Sequence, residues 1–362
     1  MTFAARVETY MQRVLLPKIA DNALGGNVLA TRLISNAKPG RSTYVEKSIK
    51  HKSSGTFTSF AGLDTFSTSP FDTKIKLSYD MRGVRLPIGL SGMEIVASLT
   101  AGDLAATNMI ESAVEEAEME LVDGLGDVVY GDGTGNSNKD PLGTGAINDD
   151  GTNVTTIGGQ SRTTYPVLKA KNTAIAGTGQ LTMLALSSLH TDVSSGTNMT
   201  TPTLIVSDEA SWDLYEQLLA PQVQHTYQQM GYYTVTSNQK KSGRNEGLVG
   251  NGGFVAVTFK GILYCKDEKH PANQIQMLNE NWIEWRGWDV NNAAGYKAIK
   301  YGVNQFETTY AEAPISNFTG FAWSGFRAPT NQFGSVADMI LLGNTCSWQP
   351  RRQGKLTNVL TV

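Results

Sequence analysis

Apolar residues recur along this chain with two different periods, and the points where the period changes mark its elements. Residues 3–16 follow the helical period: Val7, Tyr10, Met11, Val14 and Leu15 share one face, and Arg6, Glu8, Gln12 and Arg13 fill the other. Pro17 and the Gly25-Gly26 pair then disfavour further helix. This pattern fits either an arm with one adhesive face or an ordinary first helix of its own domain. From Thr73 to Leu86 the period falls to two, with Ile75, Leu77, Tyr79 and Met81 on one side and Lys74, Lys76, Ser78, Asp80 and Arg82 on the other. A second strand-like run covers 43–52. Some twenty residues rich in Ser, Thr, Gly and Phe lie between the two, which predicts a long hairpin with an extended tip. Arms of ~10–12 residues would reach ~35–40 Å. A compact globule of this length has a radius of gyration of only about 21 Å, so the ribbon is expected to project from the body.

The helical period returns from Asp103 to about Val129, where Ile110, Val114, Ala117, Leu121, Leu125 and Val128 recur at intervals of three and four. A rod of ~40 Å is expected, with Thr100 and Asp103 as an N-cap pair. The Gly/Asp/Asn-rich stretch 130–153 follows as a loop. A second body is predicted beyond it. It has a helix near 180–192, a strand at 203–207 and a helix at 208–220 with Ser207 as cap and Pro221 beyond its end. Strands follow at 254–259 and 262–265, then aromatic segments at Trp282–Trp288 and 296–310, and a short strand at Met339–Leu342. The expected fold class is α+β.

Charge changes this picture once it is located. Over the 362 residues the formal net charge is −3, only 17% of residues are charged, and 37 are glycine. Both values depart from an average soluble domain, where about 25% of residues are charged and about 7% are glycine. The near-neutral balance excludes a polycationic nucleic-acid coat. No apolar run approaches the ~20 residues of a membrane span, and the N-terminal charges do not form a secretory signal pattern. The ribbon region 41–85 carries eight basic residues against four acidic ones. The rod carries Asp103, Glu111, Glu115, Glu116, Glu118, Glu120, Asp123 and Asp127, with no Lys or Arg. Charge runs are commonly solvated faces. Opposite signs on two long elements also suit a contact, within a chain or between chains. The residues assigned to it are Lys47, Lys50, Lys52, Lys74, Lys76 and Arg82 on the ribbon, with Glu111, Glu115, Glu116 and Glu118 on the rod.

Catalytic and ligand-binding chemistry is absent from the sequence pattern. His51, His190, His225 and His270 form no ligand spacing and read as surface or strand-edge residues. Cys265 and Cys346 are distant and fit a reducing compartment. There is no nucleophile elbow and no phosphate loop. Gly131-Asp132-Gly133-Thr134-Gly135 reads as a turn ending the rod. Asp149-Asp150-Gly151 lacks the spaced oxygens of a calcium loop. Trp282, Trp285 and Trp288 read as packing, and the sequons at Asn153, Asn198 and Asn317 as chance matches. No catalytic residue, cofactor or metal is expected, and a structural protein is the default reading.

The element order, together with Val129-Tyr130-Gly131-Asp132-Gly133-Thr134-Gly135 after the rod and Arg351-Arg352-Gln353-Gly354-Lys355-Leu356 near the end, resembles the HK97-fold major capsid proteins of tailed bacteriophages. The resemblance implies an N-terminal arm at 1–40, an E-loop hairpin at 41–90 and a P domain at 91–145 with its spine helix at about 100–129. It also implies an A domain mainly at 146–310, and a return to the P domain with a C-terminal tail at 311–362. It further implies a virion shell of hexamers and pentamers assembled in the host cytoplasm. Portal, scaffold and decoration proteins would be its partners, with double-stranded DNA held by enclosure and no membrane. The E-loop would lie over a neighbour's P domain. Shell proteins of encapsulin-type nanocompartments, which enclose a cargo enzyme, share the fold and stand as the alternative.

Overall fold

The computed structural model describes residues 27–40, 42–52, 59–64, 72–101, 103–176, 180–195, 201–223, 256–288, 297–298, 320–329 and 332–359. The amphipathic stretch 3–16, most of the ribbon tip, His225, Asn198, Asn317 and nearly all of 296–310 lie outside the described residues. The first half holds α1 (Val28–Ser35), β1 (Lys38–Pro39), β2 (Tyr44–Lys50), β3 (Lys74–Asp80), β4 (Arg82–Ser91), α2 (Gly92–Ala101), α3 (Asp103–Tyr130), β5 (Thr156–Ile157), β6 (Gln160–Ser161) and β7 (Lys171–Ala174). The second holds α4 (Met183–Ser194), β8 (Leu204–Ser207), α5 (Glu209–Val223), β9 (Ala256–Phe259), β10 (Ile262–Lys266), β11 (Gln274–Leu278), β12 (Ile283–Gly287), β13 (Lys297–Ala298), β14 (Phe321–Trp323), β15 (Gly334–Ser347) and β16 (Gly354–Thr357).

Two six-stranded sheets carry the fold. The first runs β1-β12-β15-β14-β13, with β4 also paired to β15, and the second runs β7-β16-β11-β8-β10-β9. The long strand β15 organises the first sheet: ten of its residues, Gly334 to Gly343, pair antiparallel with Ser91 to Arg82 of β4. The sheets do not divide the sequence into consecutive blocks. β12 lies in the first sheet and β16 in the second, so the chain crosses between them three times.

The rod is helical as its period predicts. Ala117, Leu121, Leu125 and Val129, spaced by four, are buried toward the first sheet, while Glu115, Glu116, Glu120, Asp123 and Asp127 face solvent. Its end is fixed by the turn read from the sequence: Asp132 Oδ1 accepts from the Thr134 backbone N–H at 2.9 Å and from its hydroxyl at 2.7 Å. Only glycine fits at 143. A β-carbon there would lie within 2.5–2.6 Å of the carbonyl oxygens of Val128, Val129 and Gly131. The start of the rod differs from expectation. Thr100 belongs to the preceding helix α2, and its hydroxyl donates back to the Val96 carbonyl at 2.7 Å instead of capping.

Three further expectations change. The alternating run 73–86 is two strands that part at Met81, because β3 pairs with β2 while β4 enters the first sheet. The ribbon arms are therefore seven residues each, about 24 Å long. Ser207 is the last residue of β8, where its hydroxyl accepts from Tyr264 at 2.9 Å, and α5 runs through Pro221 to Val223. Met339–Leu342 is the middle of the 14-residue β15.

Candidate subunit interface

The ribbon has two chemically distinct faces, fixed by its register. Val45, Lys47 and Ile49 pair with Tyr79, Leu77 and Ile75, so these six share one face. That face is seated on the chain's own body: Leu77 is fully buried and Tyr79 nearly so. Tyr79 donates its hydroxyl to the Ser347 carbonyl at 2.6 Å and meets Trp348 edge to face. The Ser78 backbone N–H donates to Gly158, Gln160 Nε2 donates to the Lys76 carbonyl, and His51 packs edge-on against Tyr165. The described arms thus lie on the body and do not project from it, because three large apolar side chains bury more surface there than in solvent.

The predicted interface residues separate accordingly. Lys47 is exposed but leans over Trp348, its ammonium 5.2 Å from the centre of that ring. Lys76 pairs with Glu46 across the ribbon. Arg82 donates to the carbonyls of Gly133 (2.9 Å) and Asp140, locking the ribbon's root to the turn after the rod. Both Lys47 and Arg82 are engaged within the chain. Lys50, Lys52 and Lys74 are exposed and make no ion pair among the described residues. On the rod, Glu115 and Glu116 are exposed, and Asp123 pairs with Lys269 at 2.8 Å. The side chains of Glu111 and Glu118 lie outside the described set. Among the described residues no ion pair joins ribbon to rod. Lys50, Lys52 and Lys74 on the ribbon and Glu115 and Glu116 on the rod are exposed and make no ion pair among the described residues.

Buried polar groups below these surfaces hold the frame in place, and the sequence pattern gave no signal for them. Arg162 and Asp149 are both fully buried. Arg162 donates to Asp149 (3.3 Å) and to the carbonyls of Val154 (2.8 Å), Leu168 (3.1 Å) and Ala146. Asp149 also accepts from the backbone N–H groups of Gly151, Asn153 and Val154. The Asp149-Asp150-Gly151 turn is therefore a core ion pair, not a cation loop. Burial pushes Arg162 below the usual guanidinium range, and the Asp149 carboxylate opposes that. Burial pushes the Glu284 carboxyl up. Hydrogen bonds from Lys38, Trp348 and Arg286 outweigh it and hold the group below its ordinary range.

His270 departs from its expected surface position. It is buried edge-on against Tyr130, its Nε2 has no hydrogen-bond partner among the described residues, and burial pushes its pKa down to about 4. Beside it, Asp267 accepts from the Tyr130 hydroxyl at 2.9 Å and from the Leu29 backbone N–H at 3.4 Å, tying the start of α1 to the end of the rod. Trp285 is core, as expected, and both cysteines are buried and free. Among the described residues no group of three or more His, Cys, Asp or Glu is arranged to hold a metal. No helix there is long and apolar enough to cross a membrane.

No protein-family model matches the chain, and no curated protein matches it by sequence. Solved structures do. A chain of the Cyanophage A-1(L) capsid asymmetric unit superposes with a TM-score of 0.62 and 15% identity, covering 92% of each chain. A Mycobacterium phage Bobi structure aligns at 0.49 with 8% identity, covering 92% of this chain and 90% of that one. The holo-SrpI encapsulin complex from Synechococcus elongatus PCC 7942 aligns at 0.46 with 10% identity, covering 89% and 84%. The last two alignments are too loose to carry an argument. The first establishes the fold: a mixed helix-and-sheet arrangement shared with that chain over 92% of both.

Proposed function

We propose that this chain is a major capsid protein, the repeated subunit of an icosahedral phage head that encloses double-stranded DNA. The observation that carries the reading is the fold shared with the Cyanophage A-1(L) capsid chain over 92% of both molecules. It is supported by the exposed ribbon lysines and the acidic outer face of the rod, whose opposite signs suit contact between copies. Its role is architectural, with no catalytic step of its own.

In this reading residues 1–40 form the N-terminal arm, 41–90 the E-loop and 91–145 the P domain, whose spine helix is α3. Residues 146–310 are mainly the A domain, and 311–362 return to the P domain and tail. β12 and β16 are the strands that stitch the two sheets together. Copies associate as pentamers and hexamers. Lys50, Lys52 and Lys74 of one subunit approach Glu115 and Glu116 of the next, and Glu111 and Glu118 are assigned to the same contact by their charge alone. Charge complementarity of this kind sets register and partner choice more than affinity. Obligate interfaces of thousands of Å² supply the association energy. An acidic subunit also keeps the packaged DNA from adhering to the wall, since like charges release phosphates instead of binding them. Portal, scaffold and decoration proteins are the remaining partners, and the assembled protein resides in the virion after assembly in the host cytoplasm.

Sedimentation of the purified full chain tests the proposal. Megadalton particles under assembly conditions support it. A stable 39.1 kDa monomer under every condition of salt, crowding and concentration overturns it.

A further inference from the structure

Leu63, in the described part of the ribbon's tip, is fully exposed. It sits in a turn closed by two local bonds. The Asp64 backbone N–H donates to the Ala61 carbonyl at 3.0 Å, and the Asp64 carboxylate accepts from the Ala61 N–H at 2.8 Å. Phe60, just before the turn, is 68% exposed. The tip is therefore a pre-formed apolar knob. Any apolar recess that covers it removes that surface from water, and the closed turn gives up little freedom on being covered.

A recess of matching size lies between α3 and the β4/β15 ladder. Val84, Leu86, Leu121, Leu125, Met339 and Leu341 line it, and its free volume is about 160 Å³. A cavity of roughly 150 Å³ holds a benzene molecule, so there is room here for a leucine side chain. The sheet border of the groove is basic. Buried Asp338 is shared by Arg85 at 2.7 Å and Arg327 at 2.5 Å, and both arginines stay 59% exposed. Two cations on one carboxylate leave a positive charge over, which suits an acidic group such as Asp64.

The knob does not reach the groove of its own chain. Tyr79 and Arg82 stand in order beside Ser347 and Gly343, so the ribbon runs on along β15 away from Leu341 and Met339. Asp72 and Val84 are twelve residues apart, about 40 Å of extended chain. From Asp72 to Leu63 is nine residues, which span at most about 32 Å. The groove has to come from a second copy. We infer that Leu63 of one copy enters the groove between α3 and β4/β15 of another, with Asp64 against Arg85. The inference rests on the shell reading, and it names an apolar contact between the ribbon and rod of two copies.

Cysteine pairs in the full-length chain test the contact, because Cys265 and Cys346 are buried and do not compete. A β-carbon at Gly124, on the groove wall, meets no atom within 4 Å, so G124C is accommodated. Under mild oxidation L63C/G124C is expected to give a reducible ladder of dimers and larger oligomers. S59C/G124C, whose tip cysteine is exposed but off the knob, gives roughly tenfold less, and L63C or G124C alone gives no ladder. A faster-migrating monomer from L63C/G124C would overturn docking between copies. Equal ladders from the two pairs, or none from either, would overturn the groove as the site. The ladder reads the contact and sedimentation reads the shell. Particles without a ladder therefore refute the knob alone, and a ladder without particles refutes the shell alone.

Discussion

Tyr79 on the ribbon donates its hydroxyl to the backbone carbonyl of Ser347, the last residue of the long strand β15, at 2.6 Å. This bond joins residues 268 positions apart and fastens the ribbon's inner face to the sheet. It decides which ribbon face remains for partners: Lys50 and Lys74 point outward because Leu77 and Tyr79 point in. Removing the hydroxyl alone, Tyr79→Phe, keeps the packing and orphans the carbonyl. It is expected to cost about 1 kcal/mol in urea unfolding. Tyr79→Ala empties a core site as well and should cost about 3–5 kcal/mol.

Arg162 should be far less tolerant than any exposed arginine. Arg162→Met removes one partner of a buried ion pair and leaves the carbonyls of Ala146, Val154 and Leu168 without that donor. Breaking such a pair from one side costs about 3–5 kcal/mol. Arg351, half-buried and without an ion pair among the described residues, should cost far less when changed the same way, about 0.5 kcal/mol. Denaturant midpoints of the two variants measure the difference.

Stability should fall with acidity through His270. Its folded-state pKa is depressed to about 4 from an ordinary 6.5, so the folded protein holds the ring neutral while the unfolded chain takes up a proton. The stabilisation is complete above pH 6.5 and is lost progressively as pH falls from 6.5 toward 4, about 3 kcal/mol in all. Neighbouring Asp267 acts in the opposite sense, because burial raises its pKa and acid relieves the strain of its charge. The charge of Asp208 favours the protonated ring without overcoming burial. Comparing unfolding free energies of the parent and His270→Phe from pH 7 to pH 4 isolates the histidine. The parent should lose the extra stability, and the variant should show a flatter profile.

Much of this frame was legible in the sequence, for physical reasons. The rod carries a clean helical period, and the Asp132–Thr134 turn that ends it is local. Ile75, Leu77 and Tyr79 alternate because one ribbon face is buried. What escaped depended on distant residues. Thr100 resembles a cap until α2 extends through it. Asp149 resembles a solvated turn until Arg162 is folded against it. Lys47 and Arg82 resemble free surface charges until Trp348 and the Gly133 carbonyl come beside them. Of the ten interface residues assigned by charge, Lys50, Lys52, Lys74, Glu115 and Glu116 remain exposed and unpaired among the described residues. Periodicity reports which face is apolar, but not which copy of the chain will cover it.

Charge reversal should separate folding from association. In the proposed assembly E115K/E116K sets like charges against the ribbon lysines of a neighbour, and it is expected to leave thermal unfolding of the monomer nearly unchanged while suppressing particle formation by light scattering. Adding K50E/K52E/K74E should restore part of the yield. Raising salt from 0.1 to 1 M shortens the screening length from about 10 to about 3 Å and should slow assembly of the parent.

Electron microscopy of the full chain, expressed alone and together with a candidate scaffold protein, tests the central claim most directly. The account predicts closed icosahedral shells in which density for one subunit's ribbon crosses the outer face of a neighbour's α3. Monodisperse small oligomers in both preparations, or shells in which no ribbon touches a neighbouring rod, would contradict it.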